Sequence, residues 1–220
     1  MFTTVIFDLD GTLLNTVSDL AAAGNHSLSA MGFPQHPTET FRGMIGNGIP
    51  KLVSRMLPLA NKGPATQELA LSLFMKYYSE HSCDYTAPYA GIANLLHTLK
   101  INSVQLGILS NKSDSLVPPI VEHYFPNVFD ACMGLPSHVP AKPDPSCALA
   151  LLQLLNADAQ HTLLVGDSDV DMETALRAGL TPCGVLWGMH CEERLRQSGA
   201  QYLVTHPDEL LGIVLPNQQK

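Results

Sequence analysis

Charged and aromatic residues are scarce in this sequence, and no apolar run is long enough to cross a membrane. Only 15% of the 220 residues are charged and 6% are aromatic, whereas 45% are hydrophobic. A chain this apolar can fill a buried core, which argues against intrinsic disorder. No segment reaches the roughly 18 uninterrupted apolar residues of a membrane span, and Met1–Thr4 lacks the basic start of a signal peptide.

Cysteine spacings typical of zinc or redox sites are also missing. The five cysteines include no C-x-x-C pair, and their odd number leaves at least one unpaired in any disulfide scheme. The nine histidines show no H-E-x-x-H spacing, so we expect no zinc site. A reducing compartment fits best, and we expect a cytoplasmic protein.

Basic residues are outnumbered, with 12 Lys and Arg against 20 Asp and Glu, a formal net charge of -8. Such a protein repels nucleic-acid phosphates, so DNA and RNA are poor candidate partners. A site for a small anionic substrate would need locally concentrated cations or a metal ion. We expect a small phosphorylated metabolite as the partner, no membrane association, and a monomer or weak homodimer.

Short apolar segments alternate with helix-length segments along most of the chain. The predicted strands are 3–7, 105–109, 162–165, 181–185 and 202–204. The predicted helices between them are 92–100, 115–123, 145–155, 172–178 and 191–197. This alternation predicts an α/β fold, a Rossmann-like parallel sheet with helices on both faces.

Residues 15–84 break the alternation, because they contain helical stretches (17–31, 49–57 and 66–81) and no convincing strand. We interpret them as an inserted α-helical cap domain. The core domain is then formed by residues 1–14 and 85–220, with a frayed tail over 216–220.

Two carboxylates, Asp8 and Asp10, stand two residues apart directly after the first predicted strand. Residues i and i+2 of an extended chain point the same way, so both side chains can face one cavity. Without a cation between them, their repulsion would raise the pKa of one carboxyl. Magnesium prefers oxygen ligands combined with substrate phosphate, so the pattern favours a Mg²⁺ site.

Two further polar clusters can supply donors for a phosphate group. Ser110 and Asn111 follow the strand predicted over 105–109, where a hydroxyl and backbone N–H groups suit phosphate oxygens. Lys142 lies before a helix, in a segment stiffened by two prolines. Its ammonium group can balance the charge of Asp8 and of a transferring phosphoryl group.

A fourth cluster, Asp167 to Asp171, contains three acids after another apolar strand. Asp167 and Asp171 are four residues apart and would share a face if the chain turns helical after Asp167. They would add oxygen ligands for Mg²⁺, while Asp169 is interpreted as a residue of the helix start. Ligands in open α/β sheets bind at the carboxyl ends of the strands, so all four clusters can meet there.

These motifs resemble those of haloacid dehalogenase-type phosphatases. The segment Phe7–Leu13, FDLDGTL, matches their D-x-D-G-T signature, and Ser110, Lys142 and Asp167–Asp171 match their second, third and fourth motifs in the right order. The resemblance covers essentially the whole chain. Trp187-Gly188 looks like the final portion of phosphoglycolate phosphatase-like members.

The resemblance implies a mechanism for the first and last motifs. Asp8 would be the nucleophile that forms an aspartyl-phosphate, and Asp10 would act first as general acid and then as general base. Mg²⁺ would be held by the Asp8 side chain, the Asp10 backbone carbonyl and Asp167. Asp171 would be a further or water-mediated ligand. Because true dehalogenases lack the second acid, Asp10 argues for phosphoryl transfer.

Roles for the remaining motif residues follow from the same resemblance. Ser110 and Asn111 would hold phosphoryl oxygens, Thr12 is assigned to substrate binding, and Lys142 would balance charge.

The cap contains a second candidate group, similar to the specificity loop of phosphoglycolate phosphatases. Gly46 and Asn47 belong to a glycine-rich turn ahead of a helix, where backbone can approach an anion closely. Arg42 and Lys51 flank that turn and could bind a substrate carboxylate or a second phosphate. The alternative is a plain turn with two solvated cations.

Other functions stay open at this point. Within the same superfamily, a pyrophosphatase or a sugar-phosphate mutase would use the same motifs. An inactive phosphate-ligand binding or regulatory module is a non-enzyme alternative. It is disfavoured, because such a module has no reason to retain all the acids and Lys142 together.

Overall fold

The structure is a computed structural model, and it describes residues 1–216. The expected frayed tail covers residues 216–220, and all of it after Pro216 lies outside the described residues. The chain forms two compact units, one made of residues 1–14 with the chain from Pro88 onward, the other of Asn15–Ala87. Among residues 1–216, no helix combines the length and apolar character that crossing a membrane requires.

The second boundary follows Ala87, whereas the sequence had indicated Asp84. The three intervening residues stay with the helical unit because the Asp19 carboxylate accepts hydrogen bonds from the backbone N–H groups of Tyr85 and Thr86, at 2.8–3.1 Å. Asp19 lies in the first turn of the first helix of this unit and is 1% exposed.

The larger unit is built on a six-stranded sheet, and the α/β fold predicted from the sequence is confirmed. Its strands are β1 (Thr4–Phe7), β4 (Gln105–Ser113), β5 (Ala131–Leu135), β6 (Thr162–Gly166), β7 (Thr181–Val185) and β8 (Tyr202–Val204). All five strand pairings are parallel, and the strand order across the sheet is β5-β4-β1-β6-β7-β8. Two further strands, β2 (Leu14–Asn15) and β3 (Ala87–Pro88), form a separate two-stranded sheet.

The sequence underestimated the sheet in two places. β4 continues to Ser113, four residues past its predicted end, and its pairing with β5 shifts register between Leu109 and Ser113. β5 was not predicted at all, because its residues ACMGL include no β-branched or aromatic side chain, the types that are enriched in strands.

Helices connect the parallel strands of this unit, as parallel connections require. They are α4 (Ile92–Ile101), α5 (Val117–Tyr124), α6 (Ser146–Leu155), α7 (Asp169–Ala178), α8 (Glu192–Gln197) and α9 (Glu209–Val214), with a 3₁₀ turn at Ala159–His161. α7 begins with a capping box formed by Ser168 and Asp171 and ends at Gly179 in the left-handed conformation, φ 73°.

An apolar cluster supports the sheet beneath the polar strand ends. Leu151 and Leu155 of α6 pack with Ala175 of α7 against Ile6 and Leu164 of the sheet, all of them at most 4% exposed. Truncation of a buried leucine of this kind to alanine costs about 2–5 kcal/mol. The strand ends are therefore carried by a rigid base.

The inserted unit is helical, with α1 (Val17–Ala30), α2 (Ile49–Met56), α3 (Pro64–His81) and 3₁₀ helices at Thr38–Gly43 and Leu59–Asn61. Its own core contains Phe41, Phe74 and Tyr78, all fully buried. Gly24 of α1 allows this packing, because an added Cβ would overlap the Phe41 ring and lie 3.2 Å from the Met56 sulfur.

Candidate active site

Asp8 and Asp10 lie where β1 ends. The Asp8 N–H donates to the Val165 carbonyl at 2.8 Å, so Asp8 is fixed as an extension of the β1–β6 pairing. Gly11 then adopts φ 91°, which turns the chain sharply, and its N–H donates to the Leu14 carbonyl at 2.9 Å. The turn leaves both carboxylates at the carboxyl edge of the sheet.

Three carboxylates converge at this edge, although 163 residues separate the first from the last. Oxygen atoms of Asp8, Asp167 and Asp171 all lie within 4.8 Å of one another, and all three residues are buried. Such a group can hold a metal ion through oxygen atoms.

The carboxyl groups of Asp8 and Asp167 have raised pKa values in this cluster. Burial, with the nearby charges of Asp171 and Asp10, raises the pKa of Asp8 from 3.8 to about 7, although Lys142 acts in the opposite direction. Burial and then the charges of Asp171 and Asp8 raise the pKa of Asp167 well above its ordinary value. Both groups resist ionisation because the like charges lie close together in a desolvated place.

Lys142 is the ammonium group at the centre of the cluster. Its Nζ donates to Asp8 Oδ1 at 2.8 Å, to Asp171 Oδ1 at 2.6 Å and to the Leu109 carbonyl at 3.0 Å. Burial alone would lower the pKa of Lys142, but the carboxylates of Asp171 and Asp8 raise it above the usual lysine range. All three donors of the ammonium group are thus used, and Lys142 remains charged.

Asn111 fixes the backbone of Lys142. Its Oδ1 accepts from the Lys142 N–H at 2.7 Å, and its Nδ2 donates to the Lys142 carbonyl at 3.3 Å. That Asn111 also holds phosphoryl oxygens stays a prediction. The structure adds a contact that sets the position of the lysine.

Asp167 and Asp171 lie close together, but not as residues of one helical face. A shared face required the helix to start directly after Asp167, and this condition is not met because α7 begins at Asp169. They approach because Asp171 turns back onto the helix start, where its Oδ2 accepts from the Ser168 N–H and hydroxyl. With Oδ1 on Lys142, both Asp171 oxygens have protein donors. Asp169 instead pairs with Arg194 at 2.6 Å.

The segment Trp187–Met189, after β7, fixes Asp167. The Met189 N–H donates to Asp167 Oδ2 at 2.7 Å, and the Trp187 indole donates to the Thr12 carbonyl at 2.9 Å. An added Cβ on Gly188 would lie 2.5 Å from Asp167 Oδ2 and 2.6 Å from the Gly11 carbonyl oxygen. The segment therefore joins the first and fourth motifs, and it needs glycine to do so.

Ser110 and Lys112 share one face of β4, as the two-residue period of a strand dictates. The prediction that Ser110 and Asn111 follow the strand is wrong, because both lie within it. Lys112 was given no role from the sequence. Its Nζ lies 3.1 Å from both carboxylate oxygens of Asp10, and its side chain is 1% exposed.

Thr12 contributes a polar atom that the protein itself does not satisfy. The residue is fully buried, and within residues 1–216 its Oγ1 has no hydrogen-bond partner. Leaving a buried hydroxyl unpaired costs about 1–3 kcal/mol. That Thr12 binds substrate stays a prediction.

The family model described as haloacid dehalogenase-like hydrolase matches residues 5–185, which is most of the chain and includes Asp8, Asp10, Ser110, Lys142, Asp167 and Asp171. The chain belongs to this family. The resemblance carried by the four motifs is thereby confirmed.

Relatives within the haloacid dehalogenase-like hydrolases are phosphatases by name. A phosphoglycolate phosphatase of Pseudomonas putida is 36% identical over 189 residues, 84% of this chain and 69% of its own. That of Neisseria gonorrhoeae is 34% identical, covering 94% and 88%. The crystal structure of a predicted phosphoglycolate phosphatase from Haemophilus somnus has a TM-score of 0.89 at 28% identity, covering 96% and 97%. Together they indicate that this chain is a phosphatase, which favours the enzyme over the inactive binding module.

Two of the four candidate residues of the helical unit, Arg42 and Asn47, form local contacts. Arg42 pairs with Glu39 one 3₁₀ turn earlier at 2.7 Å, with the arginine side chain 36% exposed. Asn47 accepts from Arg55 of α2 at 2.6 Å, and Arg55 also donates to the Met44 carbonyl at 2.8 Å. Arg55 was not predicted, since an arginine in the last turn of a helix is common at solvated positions.

The glycines of that turn are required by its backbone. Gly46 has φ 110° and Gly48 has φ 81°, values in the left-handed region that favours glycine. Lys51, in the first turn of α2, is exposed. A role for these residues in substrate binding stays a prediction.

Proposed function

We propose that this chain is a Mg²⁺-dependent phosphatase that hydrolyses a small carboxylated phosphate monoester, such as 2-phosphoglycolate, through a phosphorylated Asp8. The observation that carries the proposal is the convergence of Asp8, Asp167 and Asp171 beside the buried ammonium of Lys142. The phosphoglycolate phosphatases among its relatives support the substrate class.

The donor set suits a hard divalent cation. Within residues 1–216, the four carboxylates of Asp8, Asp10, Asp167 and Asp171 form ion pairs with two ammonium groups, so two negative charges are left over when all four are ionised. Oxygen-only donors favour Mg²⁺ over zinc. When bound, Mg²⁺ would neutralise charge on the transferring phosphoryl group.

The family resemblance implies which groups would hold the ion directly, namely the side chains of Asp8 and Asp167 and the backbone carbonyl of Asp10. Asp171 would act through a water molecule, because both of its carboxylate oxygens already accept hydrogen bonds from Lys142 and Ser168. Thr12 Oγ1 and Ser110 would accept or donate to phosphoryl oxygens, which would satisfy the unpaired threonine hydroxyl.

The reaction would take two displacements at phosphorus. In the first, an Asp8 oxygen attacks phosphorus, the ester P–O bond breaks, and Asp10 gives its proton to the leaving oxygen. In the second, Asp10 takes a proton from water as that water attacks phosphorus, and the P–O bond to Asp8 breaks. Inorganic phosphate leaves, and both aspartates return to their starting states. Lys142 holds one Asp8 oxygen throughout.

The test is release of inorganic phosphate by the full chain from 2-phosphoglycolate, a neutral alkyl phosphate, pyrophosphate and a sugar phosphate, each with Mg²⁺ and with EDTA. We expect turnover of 2-phosphoglycolate that EDTA abolishes, and acid-stable labelling of the wild-type protein by ³²P. Preference for pyrophosphate, or a requirement for a sugar bisphosphate activator, would instead support the other members of the superfamily.

Asp8→Asn and Asp10→Asn should each abolish turnover of 2-phosphoglycolate with the fold intact, and Asp8→Asn should also abolish labelling. Asp169→Asn is the matched control, because that carboxylate pairs with Arg194 outside the cluster and its loss should leave turnover unchanged. Wild-type kcat in Asp10→Asn would refute the acid–base assignment.

A further inference from the structure

Lys112 and Lys142 are the two buried ammonium groups of the site, and they contact different carboxylates. Lys142 contacts Asp8 and Asp171. Lys112 contacts Asp10, with its Nζ at 3.1 Å from each carboxylate oxygen. The motifs that define the family explain Lys142, whereas they leave Lys112 without a role.

We propose that Lys112 is the positioning residue for Asp10, holding its carboxyl group in the orientation that proton transfer to and from the substrate requires. This inference rests on the acid–base role of Asp10 proposed above. Lys112 would act through Asp10 and would contribute little on its own to substrate affinity.

The burial of the contact distinguishes it from an ordinary ion pair. The Lys112 side chain is 1% exposed and the Asp10 side chain 16% exposed. Exposed pairs in this unit, such as Lys100 with Asp130 at 38% and 34%, are free to exchange with water. A desolvated ammonium beside a carboxylate cannot exchange in that way, so the contact restricts the Asp10 side chain.

Each carboxylate near Asp10 has its own hydrogen-bond donor, and Lys112 is the donor to Asp10. Asp8 is fixed by Lys142, and Asp167 by the Met189 N–H. Within the described part of the chain, Lys112 supplies the hydrogen bonds found on the Asp10 carboxylate. Without Lys112, the Asp10 carboxylate would lose both of these hydrogen bonds.

The lysine itself belongs to the last part of β4. It lies between Leu109 and Ser113, the two residues at which β4 pairs with β5 on either side of a register shift, and its N–H donates to Ser110 Oγ at 3.2 Å. The residue that donates to Asp10 is thus tied to the strand that also carries Ser110. A group held on a central strand can define geometry more tightly than one on a loop.

The test is a double-mutant cycle on the full chain with Mg²⁺, using Lys112→Met, Asp10→Asn and the double variant. p-Nitrophenyl phosphate is the substrate, because its leaving group needs little protonation and keeps the Asp10→Asn background measurable. We expect Lys112→Met to lower kcat by roughly 10–100-fold with KM changed less than about threefold. In the Asp10→Asn background it should cost less than about twofold.

Lys112→Arg should restore part of kcat, because guanidinium can also bind both oxygens of a carboxylate. Lys100→Met is the matched control and should leave kcat and KM unchanged. If Lys112→Met does not fold, as judged by its thermal transition, Lys112→Gln takes its place in the cycle.

Equal losses in the two backgrounds, or a rise in KM without a fall in kcat, would overturn the proposal. Those outcomes would mean that Lys112 acts independently of Asp10, on the substrate itself. Failure of the proposed function looks different, because Asp10→Asn would then keep wild-type turnover whatever Lys112 does.

Discussion

The candidate active site of the sheet unit has buried ion pairs between distant residues, whereas the helical unit has an exposed ion pair between near neighbours. In the sheet unit, Lys112 reaches an acid 102 residues away and Lys142 one 134 residues away, and all of these groups are largely buried. In the helical unit, Arg42 pairs with an acid three residues away, and the pair is exposed. Asp19 is buried there, but neutral backbone N–H groups satisfy it.

The difference shows where function opposes stability. Exposed local pairs contribute little and cost little, typically below about 1 kcal/mol. Buried carboxylates brought together by the fold repel one another, and the protein tolerates them only with the lysines and, by our proposal, a cation. Changes to the buried charges of the sheet unit should therefore affect stability and activity together, whereas changes to the exposed charges of the helical unit should affect specificity alone.

The largest effect is expected at Lys142. Lys142→Met would leave Asp8 and Asp171 without their ammonium partner, so we expect a loss of about 3–5 kcal/mol in the free energy of unfolding and no measurable turnover. Chemical denaturation of the metal-free protein measures the first quantity. Arg42→Met in the helical unit is the control, with an expected loss below about 1 kcal/mol. Similar losses at the two positions would contradict the comparison.

Metal binding should give the next largest effect, and it should depend on pH. The pKa of Asp8 is raised in the folded protein, from 3.8 to about 7. Because the folded protein then prefers the protonated form, the metal-free protein should lose stability as the pH rises from about 4 to about 7. Mg²⁺ replaces the proton, so its stabilisation should grow over the same range.

Thermal unfolding with and without Mg²⁺ measures this effect. At about 100 times its Kd, Mg²⁺ should contribute about 2.7 kcal/mol near pH 8, which corresponds to a Tm rise of roughly 5–10 °C. The rise should be much smaller near pH 5, where protons occupy the carboxylates. A Tm rise independent of pH would argue against binding at Asp8.

Gly188→Ala should weaken the metal site without destroying it. The added methyl group would press on Asp167 and on the Gly11 carbonyl, so we expect Mg²⁺ affinity to fall about 10–100-fold. Isothermal titration with Mg²⁺ measures this directly. Gly43→Ala is the control in the helical unit, where an added Cβ would meet nothing within 4 Å. Unchanged affinity in Gly188→Ala would show that Asp167 can adjust.

The smallest effect is expected at Arg42. If this residue binds the substrate carboxylate, Arg42→Ala should lower kcat/KM for 2-phosphoglycolate by about tenfold, or about 1.4 kcal/mol, and less for a neutral phosphate ester. Tm should not change. Glu39→Gln removes the acid that pairs with Arg42 and should not lower kcat/KM. Equal losses on both substrates would argue against binding of the substrate carboxylate by Arg42.

The sequence predicted the sheet and the convergence of its acids for one physical reason. Parallel strands present their carboxyl ends at a single edge, so Asp8 and Asp167 could be expected to approach without any knowledge of pairing. Lys142 could be predicted in the same way, because a buried acid cluster requires a cation. Their roles in catalysis stay predictions until the variants are measured.

The rest of the site could not be predicted, because its contacts carry no residue signature. A backbone N–H, such as that of Met189 on Asp167, is available from every residue except proline. Lys112 was overlooked because β4 was ended too early, and a lysine beyond a strand is usually solvated. The extension of β4 depends on its pairing with β5, a long-range feature that local patterns do not contain.

Trp187 is the chain's single tryptophan, and its indole N–H donates to the carbonyl of Thr12. All indole fluorescence of the protein therefore originates beside the D-x-D-G-T signature, which contains Thr12. Any ion or phosphate analogue that moves this turn should change the intensity or wavelength of that emission. The unlabelled protein thus offers a direct optical titration of site occupancy, independent of turnover and applicable to inactive variants.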